Sequence, residues 1–127
     1  MRVLLDTHAV LWWLNRDASL SSKARDTIAN ADLAAASAVS AFEIALKARQ
    51  GKLAVPRIFI DDFTGAMTSQ NLLVLAVDGR HAAMAGDFPL THRDPFDRLL
   101  SAQAIIEQMT LVTRDRGPAS LGAPTLW

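Results

Sequence analysis

Short apolar runs recur along the chain, and longer segments with apolar residues at helical spacing separate them. A short apolar run that is bounded by polar or turn residues is typical of a buried β-strand. The runs predict strands over residues 3–5, 33–37, 72–75, 110–113 and 124–127. The second of these is rich in alanine and poor in β-branched residues, and we place the last one at a sheet edge.

The segments between the runs predict helices with recognisable starts and stops. Ser21 and Ser22 offer an N-cap for the helix at 22–31, and Gly51 ends the helix at 40–50. The pair Asp94-Pro95 opens the longest helix, because proline is favoured at the first helical position. The predicted helices cover residues 8–14, 22–31, 40–50, 60–70, 79–86 and 94–109.

Strands that alternate with helices in this way are typical of βαβ units and of a parallel sheet covered on both faces. We therefore predict an α/β fold, a three-layer α/β/α domain with a central, mostly parallel sheet. The chain has 127 residues, which fits a single domain over residues 1–127.

Composition and charge exclude several classes of function. Thirteen basic and thirteen acidic residues leave no net charge, so a broad basic coat for non-specific nucleic-acid binding is excluded, although a local basic patch is not. The absence of cysteine excludes disulfides, thiolate zinc sites and a cysteine nucleophile. Polar residues interrupt the apolar N-terminal stretch, so we expect no signal peptide, no membrane span and a cytoplasmic location.

Four acidic residues lie where predicted strands end or where helices begin. Asp6 follows the first strand, and Asp115 follows the fourth. Glu43 and Asp97 lie near the starts of the helices at 40–50 and 94–109. Because ligands bind at the carboxyl ends of the strands in open parallel sheets, we predict that several of these carboxylates converge within about 5 Å of one another.

Each acid also has a local structural explanation. Asp6 is placed to cap the helix that follows it. The segment Ser40-Ala41-Phe42-Glu43 matches an S-x-x-E capping box, and Asp115 could be a turn residue. Asp97 lies near the positive end of a helix dipole, and Asp94 is placed to cap that helix, so we assign Asp94 to the cap rather than to the site.

Together the four acids favour a metal site. Two like charges about 5 Å apart repel by roughly 3 kcal/mol at an effective dielectric near 20, whereas a helix N-terminus offsets only about 0.3–1 kcal/mol. A hard divalent cation compensates this repulsion, and all-oxygen ligands suit Mg²⁺ or Mn²⁺. Such a site can lower the pKa of a bound water molecule and neutralise charge that builds up on a phosphate.

Several segments together resemble the PIN-domain nucleases, most closely the VapC-type toxins of bacterial toxin–antitoxin pairs. The segments are LLDTHAVLWWL, SAFEIALKARQGKL, THRDPFDRLLSAQAI, LVTRD and LGAPTLW, which span almost the whole chain. The acidic quartet of that family falls on Asp6, Glu43, Asp97 and Asp115. The resemblance implies a metal-dependent endoribonuclease that cleaves RNA, forms a homodimer and is inhibited by a cognate antitoxin protein.

One departure from the family pattern lies after the last acid. Many relatives carry an aromatic residue there, whereas this chain reads Arg116-Gly117-Pro118-Ala119. We therefore expect a different arrangement of the loop that holds Asp115. Within the quartet, we expect Asp6 and Asp97 to bind Mg²⁺ or Mn²⁺ directly, and Glu43 and Asp115 to bind it directly or through water.

Other residues near the predicted site allow two interpretations. Thr7 and Thr113 each neighbour a site acid, where a hydroxyl could orient a ligand or could belong to an ordinary strand end. A metal site needs no histidine as general base, so we interpret His8 and His92 as non-catalytic. Seven basic side chains could contact phosphates or could lie on ordinary solvated helix faces. They are Lys47, Arg49, Lys52, Arg93, Arg98, Arg114 and Arg116.

Trp12 and Trp13 are adjacent, so they lie about 100° apart on a helix and cannot share one core face. We expect one of them at the surface or in a protein contact, where aromatic residues are enriched. A core position for one and a surface position without a partner for the other is the alternative.

Other classes of function also place an Asp after the first strand. A phosphoaspartyl enzyme of haloacid-dehalogenase type needs a second Asp two residues later, where this chain has His8. A receiver domain needs an early acidic pair and a lysine after the last strand, and the chain has neither. The alternative that remains is a catalytically silent PIN-like module that binds RNA or a partner.

Overall fold

The computed structural model describes residues 1–127, and a sheet of five parallel strands forms its centre. The strands are β1 (Arg2–Leu5), β2 (Leu33–Ser37), β3 (Leu73–Leu75), β4 (Thr110–Val112) and β5 (Thr125–Leu126). Their order across the sheet is β3-β2-β1-β4-β5. Every pairing is parallel, so the predicted α/β fold with a mostly parallel sheet is confirmed.

Eight helices connect the strands and cover the sheet. They are α1 (Thr7–Leu14), α2 (Ser22–Asn30), α3 (Ala38–Arg49), α4 (Ile58–Asp61), α5 (Phe63–Thr68), α6 (Gly79–Asp87), α7 (Pro95–Ile106) and α8 (Gly117–Ser120). None of them is long and apolar enough to span a membrane.

The side chains of the central strand β1 serve two separate hydrophobic cores. Val3 and Leu5 belong to a cluster with residues of α1, α2, α3 and α5. Leu4 belongs to a second cluster with residues of α7. All three side chains are completely buried, and successive strand residues point to opposite faces of a sheet. Both faces are therefore covered, as the three-layer prediction requires.

The prediction of one helix over residues 60–70 is wrong. Two short helices, α4 and α5, take its place, because the backbone of Asp62 leaves the helical region (φ −146°, ψ 69°). The Asp62 side chain accepts a hydrogen bond of 3.0 Å from the Gly65 N–H and so caps α5. A Cβ atom at Gly65 would lie only 2.2 Å from Asp62 Oδ2, so this cap depends on glycine.

Helix α3 begins earlier than predicted, and the predicted capping box does not form. The Ser37 hydroxyl accepts a hydrogen bond of 3.0 Å from the Val39 N–H, so the helix begins at Ala38 rather than at Ser40. The buried Ser40 hydroxyl instead lies 2.9 Å from Thr7 Oγ1. This leaves the carboxylate of Glu43 available for other contacts.

The last two helices differ from the prediction in one boundary and in the presence of α8. Helix α7 ends at Ile106 rather than at Met109, because Gln108 adopts the left-handed conformation (φ 54°). The Met109 N–H then bonds with the Ala104 carbonyl at 2.9 Å, which closes the helix end. The short helix α8 begins at Gly117, where the sequence indicates a turn.

Candidate active site

One pocket of about 320 Å³ is lined by residues that follow β1 and β4, by Glu43 and Lys47 on α3, and by residues at the start of α7. We call it the acidic pocket, and all four predicted site acids line it: Asp6, Glu43, Asp97 and Asp115. Asp94 lines it as well, so five carboxylates share its wall with Lys47 and Arg114. The parallel sheet thus brings together acids that are far apart in sequence, at the edge where such folds bind ligands.

Asp6 both caps a helix and faces the acidic pocket. Its Oδ1 accepts a hydrogen bond of 2.8 Å from the Ala9 N–H, as an N-cap of α1. Burial raises the pKa of Asp6, although the Thr113 hydroxyl and the Ala9 N–H lower it in part. The nearby charge of Glu43 raises it further. The charged form of Asp6 therefore lacks a strong cationic partner of its own.

Glu43 is paired with a lysine on its own helix. Its side chain is nearly buried, and Lys47 Nζ lies 2.6 Å from Oε2 one turn along α3. The pair places a positive charge on the wall of the acidic pocket beside the carboxylates. Lys47 therefore compensates part of the repulsion that the sequence predicts at this edge of the sheet.

The neighbours Asp94 and Asp97 have different local roles. Asp94 Oδ1 accepts a hydrogen bond of 2.9 Å from the Phe96 N–H and caps α7, as the sequence predicts. Asp97 lies in the first turn of α7, and burial raises its pKa to about 7. Hydrogen bonding to His92 opposes this rise, whereas Asp115 and Asp94 add to it. Without a cation, Asp97 holds a proton near neutral pH.

Asp115 has the opposite shift. The Gly117 N–H donates a hydrogen bond of 3.0 Å to Asp115 Oδ1, and this contact lowers the pKa of Asp115. Interaction with Asp97 lowers it further. Two neighbouring carboxyl groups that interact titrate apart in this way, and here the raised pKa belongs to Asp97. The Asp115 N–H donates to Thr113 Oγ1 at 3.0 Å, so Thr113 shapes this loop.

The acids interact in two pairs rather than as one compact cluster. The carboxylate that raises the pKa of Asp6 is Glu43. The carboxylates that raise the pKa of Asp97 are Asp115 and Asp94. A group of three potential metal-ligating side chains with ligand atoms all within 4.8 Å of one another occurs elsewhere. No three of the four site acids form such a group, so the expected convergence of several carboxylates does not reach this compactness.

That compact group consists of Asp78, His81 and Glu107, and its ligand atoms are already engaged. His81 Nδ1 accepts a hydrogen bond of 3.0 Å from the Asp78 N–H, and Nε2 lies 3.0 Å from Glu107 Oε1. Arg80 binds Asp78 at 2.9 Å and Glu107 at 3.3 Å. A metal ion would have to displace these contacts, so we interpret the group as the cap that joins α6 to the end of α7.

Two side-chain contacts near the acidic pocket could not be predicted from the sequence. His92 Nε2 lies 3.0 Å from Asp97 Oδ2, although residues 88–94 show no periodicity that indicates this contact. The Arg98 guanidinium is buried and donates to four carbonyls instead of contacting solvent or substrate. These are the carbonyls of Gly86, Phe88, Pro89 and His92, at 2.7–3.1 Å. Arg98 is therefore structural rather than a candidate phosphate ligand.

Aromatic and basic side chains form one rim of the acidic pocket. Trp12 stacks with His8 at 5.3 Å between ring centroids, and the Arg114 guanidinium lies 4.9 Å from the Trp12 ring. Trp12 also contacts Trp127 edge to face. Trp12 and Trp13 are both half-buried against the larger core, so each leaves part of its side chain at the surface. A protein contact for one of them stays a prediction.

Comparisons with known proteins agree with this fold. Residues 3–123 match the PIN domain family. The chain is 35% identical over 130 residues to Ribonuclease VapC22 of Mycobacterium tuberculosis, and the match covers 98% of each protein.

Two solved structures have a similar fold. DNA-bound VapBC from Salmonella typhimurium matches with a TM-score of 0.72 and 18% identity, over 99% of this chain and 97% of that one. VapBC2 from Rickettsia felis, bound to a promoter DNA fragment, matches with a TM-score of 0.69 and 16% identity, over 100% and 99%. The resemblance to PIN-domain nucleases of the VapC type is confirmed. This chain therefore belongs to the PIN domain family and is a relative of the VapC ribonucleases.

Proposed function

We propose that this chain is a Mg²⁺- or Mn²⁺-dependent endoribonuclease that hydrolyses RNA phosphodiester bonds and acts as the toxin of a toxin–antitoxin pair. The observation that carries the proposal is the acidic pocket, where Asp6, Glu43, Asp97 and Asp115 line one wall at the carboxyl edge of a parallel sheet. The relative from Mycobacterium tuberculosis, which this chain matches over nearly its full length, is named a ribonuclease, and this supports RNA as the substrate.

The donor set of the acidic pocket fits a hard divalent cation. All the candidate ligands are carboxylate oxygens, which Mg²⁺ and Mn²⁺ prefer, and the pocket offers no thiolate. The raised pKa values of Asp6 and Asp97 have burial as their main cause, so a cation near them restores the charged forms. We assign direct binding to these two acids, and direct or water-mediated binding to Glu43 and Asp115.

The chain's own residues position the substrate and the proton acceptor. When bound, the cation supplies Lewis-acid chemistry that activates water and neutralises charge on the phosphate. Lys47 and Arg114 offer positive charge at the wall of the pocket for the RNA phosphates. The Gly117 N–H holds Asp115 in its charged form, so Asp115 is available to accept a proton or a hydrogen bond.

We further propose an antitoxin partner and a homodimer. Solved structures with this fold are described as toxin–antitoxin complexes, which supports a protein partner for this chain. Exposed apolar side chains on α3 and α4 offer a contact surface: Phe42, Leu46 and Ile58 are exposed by 63%, 38% and 50%. Such a surface is more apolar than a solvated helix face requires.

Cleavage of a structured RNA by the purified chain tests the proposed function. We expect cleavage with Mg²⁺ or Mn²⁺ and none with EDTA. Asp6→Asn and Asp97→Asn should reduce the rate by orders of magnitude, whereas Asp26→Asn, at an exposed position on α2, should not change it. RNA binding without cleavage under any metal condition would contradict the proposal and would favour the catalytically silent module.

A further inference from the structure

The imidazole of His92 lies between Asp97, which lines the acidic pocket, and Gly117 in the loop after Asp115. On one side, Nε2 lies 3.0 Å from Asp97 Oδ2, and both side chains are largely buried. His92 is not on a helix; it belongs to the segment that precedes α7. Its backbone is fixed there because the His92 carbonyl accepts a hydrogen bond of 2.8 Å from buried Arg98.

On its other side, the same ring lies against Gly117. A Cβ atom at Gly117 would lie 2.0 Å from His92 Cε1 and 2.6 Å from each ring nitrogen. Such distances are far shorter than van der Waals contact, so a side chain at position 117 and the imidazole compete for one space. The φ angle of Gly117 is not in the left-handed region, so its backbone does not by itself exclude a side chain.

Gly117 also holds the last acid of the quartet. Its N–H donates the hydrogen bond of 3.0 Å to Asp115 Oδ1. The imidazole therefore bonds with one site acid and packs against the residue that holds another. Within the loop that departs from the family pattern, this contact explains the glycine at position 117, because the ring of His92 occupies the space of a side chain there.

We propose that His92 is a positioning residue of the acidic pocket, which fixes the Asp97 carboxylate relative to the loop that carries Asp115 through its hydrogen bond to Asp97 and its contact with Gly117. The proposal rests on the proposed metal-dependent function, because it assigns to His92 a role in shaping the cation site. Partners that orient a metal ligand in this way typically change metal affinity or activity by about 10–100-fold when they are removed.

Four proteins form the test: the wild type, His92→Ala, Gly117→Ala and the double variant. Each is measured for Mn²⁺ affinity by calorimetry, for RNA cleavage, and for thermal unfolding in EDTA. Gly117 precedes Pro118, and an alanine before proline has a restricted backbone, so Gly117→Ala can have a cost that does not involve His92. The double variant measures that cost in the absence of the imidazole. His92→Gln is a fifth protein, because its amide nitrogen can occupy the place of Nε2.

We expect His92→Ala and Gly117→Ala each to weaken Mn²⁺ affinity and cleavage by about tenfold. Gly117→Ala should have little further effect on either quantity in the His92→Ala background, and it should lower the melting temperature in EDTA by more when His92 is present. His92→Gln should retain more Mn²⁺ affinity than His92→Ala, a rescue that a purely structural role would not give.

Three results would overturn the proposal. They are a wild-type Mn²⁺ affinity in His92→Ala, equal affinities in His92→Gln and His92→Ala, and losses from the two substitutions that simply add in the double variant. A wild type that binds Mn²⁺ but does not cleave RNA would contradict the proposed function alone, since the Mn²⁺ affinities of the variants would still decide the role of His92.

Discussion

The environment of Asp97 changes the pH range in which its carboxyl group titrates. Burial raises its pKa to about 7, with Asp115 and Asp94 adding to the rise and His92 opposing it. In the unfolded chain the same carboxyl titrates near its ordinary value of 3.8. Between these two pKa values the folded protein binds a proton that the unfolded chain releases, so the stability of the metal-free protein depends on pH.

The sign of this dependence gives the first prediction. Because the pKa of Asp97 is higher in the folded state, its contribution to the free energy of unfolding is largest below about pH 4 and decreases up to about pH 7. In EDTA, Asp97→Asn should therefore gain stability relative to the wild type across this range and melt at the higher temperature at pH 8.

Thermal unfolding from pH 4 to pH 8 measures this difference, with Asp26→Asn as the control at an exposed site. Added Mn²⁺ at pH 8 should raise the melting temperature of the wild type much more than that of Asp97→Asn, because a ligand that binds only the folded state stabilises it. A stability difference between Asp97→Asn and the wild type that does not change with pH would contradict this description of Asp97.

Asp94 provides a matched comparison three residues away. Asp94 caps α7 through Oδ1 and also lines the acidic pocket. Because Asn is about as good an N-cap as Asp, Asp94→Asn should keep the helix start and reduce RNA cleavage far less than Asp97→Asn. Equal losses of cleavage rate in these two variants would show that Asp94 is itself a ligand of the cation.

The positions of the site acids could be predicted from sequence, but their contacts could not. Asp6 directly follows one apolar run and Asp115 lies two residues after another, and the carboxyl ends of parallel strands share one edge. The contact of His92 with Asp97 instead depends on how residues 88–94 fold back onto α7, and no local pattern encodes that path. The burial of the Arg98 guanidinium could not be predicted either, because no local pattern distinguishes Arg98 from an arginine on a solvated helix face.

At the scale of elements, the helix α7 supports both the core and the acidic pocket. Its buried Gln103 accepts a hydrogen bond of 2.5 Å from Ser37 and donates one of 3.2 Å to the Ala76 carbonyl, so it joins the ends of β2 and β3. Its Arg98 fixes the segment between α6 and α7 through four carbonyls. The backbone position of the segment that carries His92 therefore depends on the Arg98 guanidinium.

Replacement of that guanidinium gives an element-scale prediction. Arg98→Lys removes the planar set of donors and leaves buried carbonyls without partners, so it should lower the free energy of unfolding by at least about 2 kcal/mol. Arg93→Lys, at an exposed position in the same segment, should change it by less than about 0.5 kcal/mol. Urea unfolding measures both, and similar values for the two variants would contradict the structural role of Arg98.

Strands were easier to predict than helix boundaries for a physical reason. A buried strand needs a continuous apolar run, and such runs mark all five strands of the sheet. Helix boundaries depend on single side-chain bonds that have competitors. Ser37 rather than Ser40 caps α3, and Asp62 interrupts the predicted helix at 60–70 because Gly65 leaves room for its carboxylate.

At the scale of the whole molecule, apolar surface occurs in several places. On α1, Leu11 is buried and the three residues that follow it are half-buried. The exposed large apolar side chains are Phe42 and Leu46 on α3, Ile58 on α4, Leu73 on β3, and Met1, Val77 and Leu90 outside the helices and strands. Those on α3 share that helix with Glu43 and Lys47. A partner bound there would lie close to the acidic pocket.

This location gives a prediction about assembly. Light scattering of the purified chain at micromolar concentration should show a dimer, and an antitoxin should co-purify from the native host. Phe42→Ser with Leu46→Ser should weaken one of these associations, whereas Leu90→Ser, which is equally exposed but lies between α6 and α7, should not. A wild type that is a monomer and has no co-purifying partner would contradict the proposed interactions.

The position of a bound metal ion tests the central claim most directly. Crystals grown with Mn²⁺, with data collected at the manganese absorption edge, locate the ion by its anomalous scattering. We expect a peak in the acidic pocket within coordination distance of Asp6 and Asp97, and no peak at the Asp78, His81 and Glu107 group. A peak at that group with none in the acidic pocket, or no peak at either place at millimolar Mn²⁺, would contradict the proposed metal site.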